Sequence, residues 1–312
     1  MPFPLYIAGR YTISRSKSSA VNIITMIAAL GIVVSTAALF VIMSVFGGLK
    51  NYSLSFSSDT DPDLKVTPAM GKSFIVGPEQ KAKLSAVKGI AVASYIAEER
   101  VLFYYNEKEQ VAYLKGVDSL YTKVAPMNKP KRLMGTNWLE QYTGQVVVGS
   151  GIYSKLSLGL LNINHPFMVY VPKPGKGVIE SAEDGFNKAS LTIVGVYAVN
   201  EDVDNKYVFC SLDLAQNLLG FAKNQYSGVE IKLKPGASEA TVRGDIEKII
   251  GGKTDIKNRA QLNDSLYKML NAENLVTYLF CTLVAVLTMF CLAGALIMLI
   301  LDKQDNIRSL FN

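Results

Sequence analysis

Two stretches of this chain carry no charge over a length that a membrane helix requires. No Asp, Glu, Lys or Arg occurs between Lys17 and Lys50, and none among the 28 residues from Asn274 to Leu301. About 20 apolar residues, rising ~1.5 Å each, cross the roughly 30 Å of a bilayer's hydrocarbon. Each stretch is long enough, and the 49% hydrophobic content is concentrated in Ile23 to Phe46 and Leu275 to Leu301. The chain therefore reads as a two-span membrane protein with an ectodomain between the spans.

Arg10, Arg15 and Lys17 precede the first apolar run. A secretory signal has an apolar region of only about 7 to 15 residues followed by a small-residue cleavage site. The longer run reads as an uncleaved anchor, and the three cations place the N-terminus in the cytoplasm by the positive-inside rule. Two spans return the C-terminus to the same side. Phe3, Ile7 and Tyr11 fall near one face of a short interfacial helix, with Arg10 and Arg15 elsewhere. Within the first span, Gly31 and Ser35 form a small-xxx-small pair that suits close helix packing.

Approaching the second span, Leu262, Leu266, Met269 and Leu270 recur at helical spacing while Asp264, Lys268 and Glu273 take other faces. No proline falls between Arg259 and Asn312, and the first glycine there is Gly294. The pattern predicts one rod: an amphipathic stalk, a span and a short closing helix. The expected organisation is an interfacial helix (1–19), span 1 (20–48), ectodomain (49–258), stalk (259–274), span 2 (275–301) and a cytoplasmic closing segment (302–312).

The ectodomain alternates helical and extended patterns, which predicts an α+β fold in two subdomains. Strands are expected at Leu64–Thr67, Ile90–Tyr105, Gln110–Gly116, Gln145–Val148, Pro166–Val171, Leu191–Val199, Tyr207–Ser211 and Val229–Leu233. Helices are expected at Glu79–Val87, Asp118–Val124, Ser150–Leu158, Leu212–Leu219 and Ser238–Ile250. Pro172 to Lys188, rich in proline, glycine and lysine, is the one long irregular stretch, the kind of loop that often carries function.

Chemistry is sparse. The net charge of +6 leaves an excess of only three cations over Lys50 to Glu273, too thin for nucleic acid. The densest basic cluster, Lys129, Lys131 and Arg132, reads as a solvated loop. Cys281 and Cys291 lie in the second span and only Cys210 outside it, which excludes a disulfide-built ectodomain. Gly71-Lys-Ser73 resembles the end of a phosphate-binding loop, but Val66 stands where its first glycine belongs. Gly149-Ser-Gly151 lacks the third glycine of the dinucleotide fingerprint, Ser154 taking its place. The carboxylates of Asp59, Asp61 and Asp63 lack the glycine and the late glutamate of a calcium loop and read as a turn. The sole histidine, His165, offers little for a catalytic triad or a metal site. No cofactor and no catalytic residue are expected.

Several segments carry a family resemblance: Ile7-Ala-Gly-Arg-Tyr11, Asn22-Ile-Ile-Thr-Met26, Gly31-Ile32, Ser44-Val-Phe-Gly-Gly48, and Asp61-Pro-Asp-Leu-Lys-Val66 with Gly71-Lys72. Further on come Val146-Val-Val-Gly-Ser-Gly151 and Leu299-Ile-Leu-Asp-Lys303 with Ile307 and Leu310. Together they resemble the lipoprotein-releasing ABC transporter permeases of the LolC and LolE type, within the wider group of MacB exporters and FtsX permeases. The resemblance runs through essentially the whole chain.

It implies a non-catalytic permease subunit of a bacterial inner membrane. That subunit would work with a cytoplasmic ATPase and a second permease subunit to extract acylated lipoprotein cargo. The segment after span 2 would form the coupling helix, through Asp302, Lys303, Asn306, Ile307 and Leu310. The resemblance also implies a carrier-binding hook in the loop at Pro174, Gly175 and Lys176, although the hook's own residues are not reproduced. Phe46, Leu275 and Tyr278 are the candidate surface for acyl chains. The family's coupling segment is more basic, with an arginine where Phe311 stands here, and it has four spans; the chain reads as a truncated or split member. The rival readings are an exporter, a mechanotransmission permease and, from another class, a two-span periplasmic sensor.

Overall fold

The computed structural model describes Tyr6 and residues 19–129, 133–135, 138–139, 144–159, 166–173, 185–251, 254–302 and 304. They form two compact units, one of residues up to Tyr52 with those from Ser265 onward, the other Ser53–Asp264.

The first unit is helical. Helix α1 spans Ser19–Thr60 and contains the apolar stretch Met26–Lys50. Its large side chains point outward on every side, Phe40 being 74% exposed. The long C-terminal helix shows the same character, with Phe290 72% exposed. A long helix that is apolar all round suits lipid, not water. Two of the hydroxyls fold back on the helix: Thr36 Oγ1 donates to the Ile32 carbonyl (2.8 Å) and Thr282 Oγ1 to that of Tyr278 (2.8 Å).

The Ser53–Asp264 unit is α+β. Its strands are β1 Leu64–Pro68, β2 Phe74–Ile75, β3 Ile90–Tyr105, β4 Lys108–Val117, β5 Leu133–Gly135, β6 Gln145–Gly149, β7 Phe167–Pro172, β8 Phe186–Tyr197, β9 Tyr207–Ser211, β10 Gln225–Tyr226, β11 Gly228–Leu233 and β12 Thr254–Asn258. Its helices are α2 Pro78–Ala86, α3 Tyr121–Val124, α4 Ser150–Leu156, α5 Glu201–Asp204, α6 Leu212–Leu219, α7 Glu239–Ile250 and α8 Arg259–Leu262. Ten strands form one sheet in the order β12-β1-β11-β3-β4-β9-β6-β8-β5, while β7 pairs with both β3 and β8.

That double pairing of β7 has a geometric consequence. Six strands, β3, β4, β9, β6, β8 and β7, each pair with the next and close on themselves as a small barrel. Its core holds Val101, Phe103, Leu114, Val146, Val148, Phe167, Val169 and Val208, as expected of a barrel too narrow for anything but side chains. A second core gathers Leu64, Val66, Leu84, Ile90, Val229, Ile231, Val242 and Ile246, where α2 and α7 pack on β1, β11 and the start of β3. The two cores share β3, the 16-residue strand that runs through both.

Most expected elements stand, and the differences have local causes. Asn106 and Glu107 alone turn the β3–β4 hairpin, both with positive φ (45° and 63°), so β4 begins at Lys108 rather than Gln110. Strand β8 starts at Phe186, inside the stretch expected to be irregular, because β7 pairs with Asn187 and Lys188. Helix α4 stops at Leu156, where Ser157 turns left-handed (φ 52°). Strand β12, an edge strand whose one buried apolar residue is Ile256, carries too little hydrophobic pattern to be read in advance.

The predicted rod is interrupted. Asn258 caps α8 by accepting the Gln261 amide, and Asn263 (φ −111°, ψ 38°) ends it after one turn. The long helix α9 then spans Asp264–Asp302. The cause is tertiary: Asn263 Nδ2 donates to Asp61 Oδ2 (2.7 Å) and to the Arg259 carbonyl (3.0 Å). Asparagine offers the backbone such alternatives to a continued helix.

Candidate functional site

The candidate acyl-chain residues are exposed on the two long helices. Phe46, on α1, is 41% exposed, and Leu275 and Tyr278, on α9, are 61% and 65% exposed. A Cβ on Gly31 would meet open space, and Ser35 is half-buried. Of the residues expected to couple to an ATPase, Asp302 closes α9, while Lys303, Asn306, Ile307 and Leu310 lie outside the described residues. So do Pro174, Gly175 and Lys176, the interfacial residues Phe3, Ile7 and Tyr11, the cations Lys131 and Arg132, and His165.

The ectodomain holds a constellation that the sequence reading did not anticipate. Lys65 on β1 stands directly opposite Glu230 on β11, and Glu98 on β3 opposite Lys115 on β4. Strand alternation places these four charges on the sheet face opposite Leu64, Val66, Val229 and Ile231. That face is covered by a third cluster of buried residues, including Tyr121, Met127 and Phe209. Lys115 and Glu230 are consequently 5% and 1% exposed. The ions pair across the strands: Lys65 Nζ lies 2.8 Å from Glu98 Oε2 and 3.5 Å from Glu230 Oε1, and Lys115 Nζ lies 2.7 Å from the same Glu230 oxygen. Lys115 also sits over the rings of Tyr121 (5.0 Å) and Tyr207 (5.1 Å), a second form of cation stabilisation.

Charge wins over burial at Glu98, Lys65 and Lys115. Burial works against the Glu98 carboxylate, yet Lys65 and Lys115 hold its carboxyl down at about 2. Burial likewise opposes the two ammonium groups, but Glu98 and Glu230 push both lysines above their ordinary range. Tyr207 is pushed up chiefly by burial. Groups that far from neutrality make poor proton donors or acceptors, so the arrangement fixes charge rather than moving protons. Its only signal in the sequence is charge inside short, otherwise apolar strands such as Leu64-Lys-Val66 and Val229-Glu-Ile231.

The quartet lines a cavity of about 210 Å³ together with Asp61, Asp202, Lys206 and Asn263. Two of the three aspartates of the turn before β1, Asp61 and Asp63, have partners here. Asp63 accepts from Arg259 Nη2 (2.7 Å) and from the Leu233 amide (2.8 Å), and Asp61 accepts from Asn263. The residues read as imperfect phosphate motifs also serve packing. Lys72 pairs with Glu99 (3.0 Å) and Ser73 accepts from Gln225 (2.7 Å). Gly149 leaves room for the backbone of Asp204, and Gly151 for the Asn205 side chain. Asp204 in turn accepts from Ser150 Oγ (2.9 Å) and the Val199 amide (2.9 Å), and burial pushes its carboxyl up.

Comparison with known proteins places this architecture. Residues 25–249 match the family model described as the MacB-like periplasmic core domain. Among curated proteins, the chain is 23% identical to the lipoprotein-releasing system transmembrane protein LolE of Haemophilus influenzae, over 98% of this chain and 73% of that protein. It is 22% identical to LolC, of the same system, from Buchnera aphidicola, over 98% and 74%. Among solved structures, the periplasmic region of MacB from Actinobacillus actinomycetemcomitans aligns with a TM-score of 0.46 at 12% identity, covering 67% of this chain and 94% of that one. The extracellular domain of the ABC-type transporter YknZ from Gram-positive bacteria aligns at 0.41 and 14%, covering 62% and 99%. With its two membrane-length helices flanking an α+β ectodomain, the chain belongs to the MacB-like periplasmic core domain family, as an ABC transporter permease of the LolC/LolE type.

Proposed function

We propose that this permease extracts acylated lipoproteins from the outer leaflet of a bacterial inner membrane, driven by a cytoplasmic ATPase and paired with a second permease subunit. The observation that carries this reading is the similarity to both LolE and LolC over 98% of the chain. The physics of the cargo is consistent with it, since acyl chains gain about 0.8 kcal/mol per buried CH₂ and their removal needs an apolar receiving surface and an external energy source. Phe46, Leu275 and Tyr278 are the proposed surface. Asp302, Lys303, Asn306, Ile307 and Leu310 are the proposed ATPase contact, and Pro174 to Lys176 a contact for a soluble carrier. The N-terminus is assigned to the cytoplasm by Arg10, Arg15 and Lys17, with residues 49–258 periplasmic, a stalk over 259–274 and span 2 over 275–301.

A second reading, an exporter or a mechanotransmission permease, draws on the MacB-like family model itself. The two are separated by blocking ATP hydrolysis in the partner, purifying the complex from native membranes and identifying bound proteins by mass spectrometry. Triacylated proteins together with an ATPase and a second permease are expected. A periplasmic hydrolase or adaptor without acylated cargo would move the assignment to the second reading.

A further inference from the structure

The break in the C-terminal rod falls on a single residue. Leu262 ends α8 and Asp264 begins α9, so Asn263 alone stands between them. Its backbone amide already donates to the Arg259 carbonyl (3.2 Å), the bond that a continuous helix makes at that position. Its φ of −111° and ψ of 38° depart from helical values chiefly in ψ, by about 80°. No proline opposes that rotation, and the first glycine after Arg259 is Gly294. The side chain does oppose it, since Asn263 Nδ2 donates to Asp61 Oδ2 at 2.7 Å, 202 residues away in the chain.

Helix α8 is fastened to the ectodomain by other residues. Arg259 Nη2 donates to Asp63 Oδ1 (2.7 Å), Asn258 and Gln261 cap each other, and Arg243 Nη2 reaches Gln261 Oε1 (3.3 Å). Release of Asn263 therefore leaves α8 in place as the first turn of a longer helix. Space for that release is present: Asp61, Leu262 and Asn263 line the cavity of about 210 Å³ beside the ion quartet, so close packing does not lock them. In the broken arrangement Asn263 holds a charge-assisted bond, while the first amides of α9 cannot bond within their own helix. In a continuous helix that bond is lost, and the amides of Asp264, Ser265 and Leu266 gain the carbonyls of Ala260, Gln261 and Leu262. One charge-assisted bond set against a turn of backbone bonds leaves neither arrangement far above the other. That is the condition for a two-state element.

We propose that the Asp61–Asn263 bond is a conformational latch: closed, it holds the break, and open, it lets α8 and α9 join as one helix from Arg259 to Asp302. Both latch residues belong to the Ser53–Asp264 unit. Asp61 is the first residue after α1, and Asn263 the last before α9. A displacement where the chain leaves one membrane-length helix is thereby converted into helix formation where it enters the other. The latch does not depend on what the permease carries.

The test is hydrogen exchange of the full chain in detergent, resolved at the amides of Ser265 and Leu266. Asp61→Ala opens the latch from the far side and leaves the sequence of the rod unchanged. Exchange at both amides is expected to slow about tenfold, because they gain acceptors in α8. Asn263→Ala should slow it to a similar extent, and the double variant little beyond either single, since all three remove the same bond. The Leu233 amide, which donates to Asp63 (2.8 Å), reports whether the ectodomain stays folded. If Asp61→Ala loses that protection, Asp61→Asn, which keeps the shape without the charge, decides with a smaller slowing in the same direction. Unchanged or faster exchange at Ser265 and Leu266 in a folded Asp61 variant would overturn the latch. Fully additive effects of Asp61→Ala and Asn263→Ala would overturn it too, because they would assign the slowing at residue 263 to alanine's own helix propensity.

Discussion

Lys115 on β4 and Glu230 on β11 form a 2.7 Å ion pair although both are almost completely buried and lie 115 residues apart in the chain. Breaking one partner of a buried pair strands the other charge, which is worth about 3–5 kcal/mol. Glu230→Ala and Lys115→Ala should each lower the ectodomain's unfolding midpoint steeply in a denaturant titration. The double substitution Lys115→Met with Glu230→Leu should recover much of that loss, because an apolar replacement leaves no uncompensated charge. A double variant no better than the singles would show that the pair is irreplaceable.

Glu98 sets a pH dependence of known sign. Its carboxyl is held at about 2 in the folded protein against an ordinary value of 4.5, despite the opposing effect of burial. A depressed folded value contributes stability that is complete above the unfolded value and is lost as pH falls through the folded one. Thermal stability should therefore be level above about pH 5 and decline between pH 4.5 and 2. Glu98→Gln should lower stability at neutral pH and flatten the acid decline. A variant that retains the same acid slope would assign that slope to other carboxylates.

Asp63, just ahead of β1, ties α8 to β11 by accepting from Arg259 Nη2 and the Leu233 amide while lying 3.5 Å from Lys232 Nζ. Asp63→Ala should cost about 1–3 kcal/mol, as expected for a part-buried carboxylate with charged donors. Hydrogen exchange should localise the effect, with the Leu233 amide losing protection. Unchanged exchange at Leu233 would rule out the proposed role of this carboxylate.

Gly149 and Gly151 differ in what a methyl group would strike. At Gly149 the obstacle is the Asp204 backbone, which cannot rotate away, and at Gly151 it is the Asn205 side chain, which can. Gly149→Ala should cost about 1–3 kcal/mol or prevent folding, as overpacking does. Gly151→Ala should be milder, and measured midpoints in the reverse order would contradict this packing.

Glu107 occupies a left-handed position, φ 63°, in the two-residue β3–β4 turn. Asn-Gly is the preferred pair for such a turn, so Glu107→Gly should raise stability by about 0.5–1 kcal/mol. A lower midpoint would indicate that the unfolded chain's gain in entropy outweighs the relief.

How much was legible depended on whether the signal was local. The helix α6 was bounded correctly because both ends carry local stops: Ser211 accepts the Leu214 amide and Gly220 turns left-handed at φ 66°. The hairpin's strands and the place of its turn, Asn106 to Glu109, were legible; that only Asn106 and Glu107 make the turn was not, since the pair lacks the glycine that announces a two-residue turn. Asn263 looked like one more residue in a helix because its partner Asp61 is far away in the chain.

By itself the sequence determined the two apolar helices, since 18 or more residues without charge have few alternatives whatever surrounds them. It also determined the α+β character of the segment between them, through periodicities set by the chain's own geometry, and it carried the family resemblance. Only the tertiary structure decided that β7 closes a barrel, that the helical rod breaks at Asn263, and that Lys65, Glu98, Lys115 and Glu230 meet in one buried quartet. Those outcomes rest on contacts between strands remote in sequence, and the energy of a charge is fixed by what is packed against it, which no local pattern records.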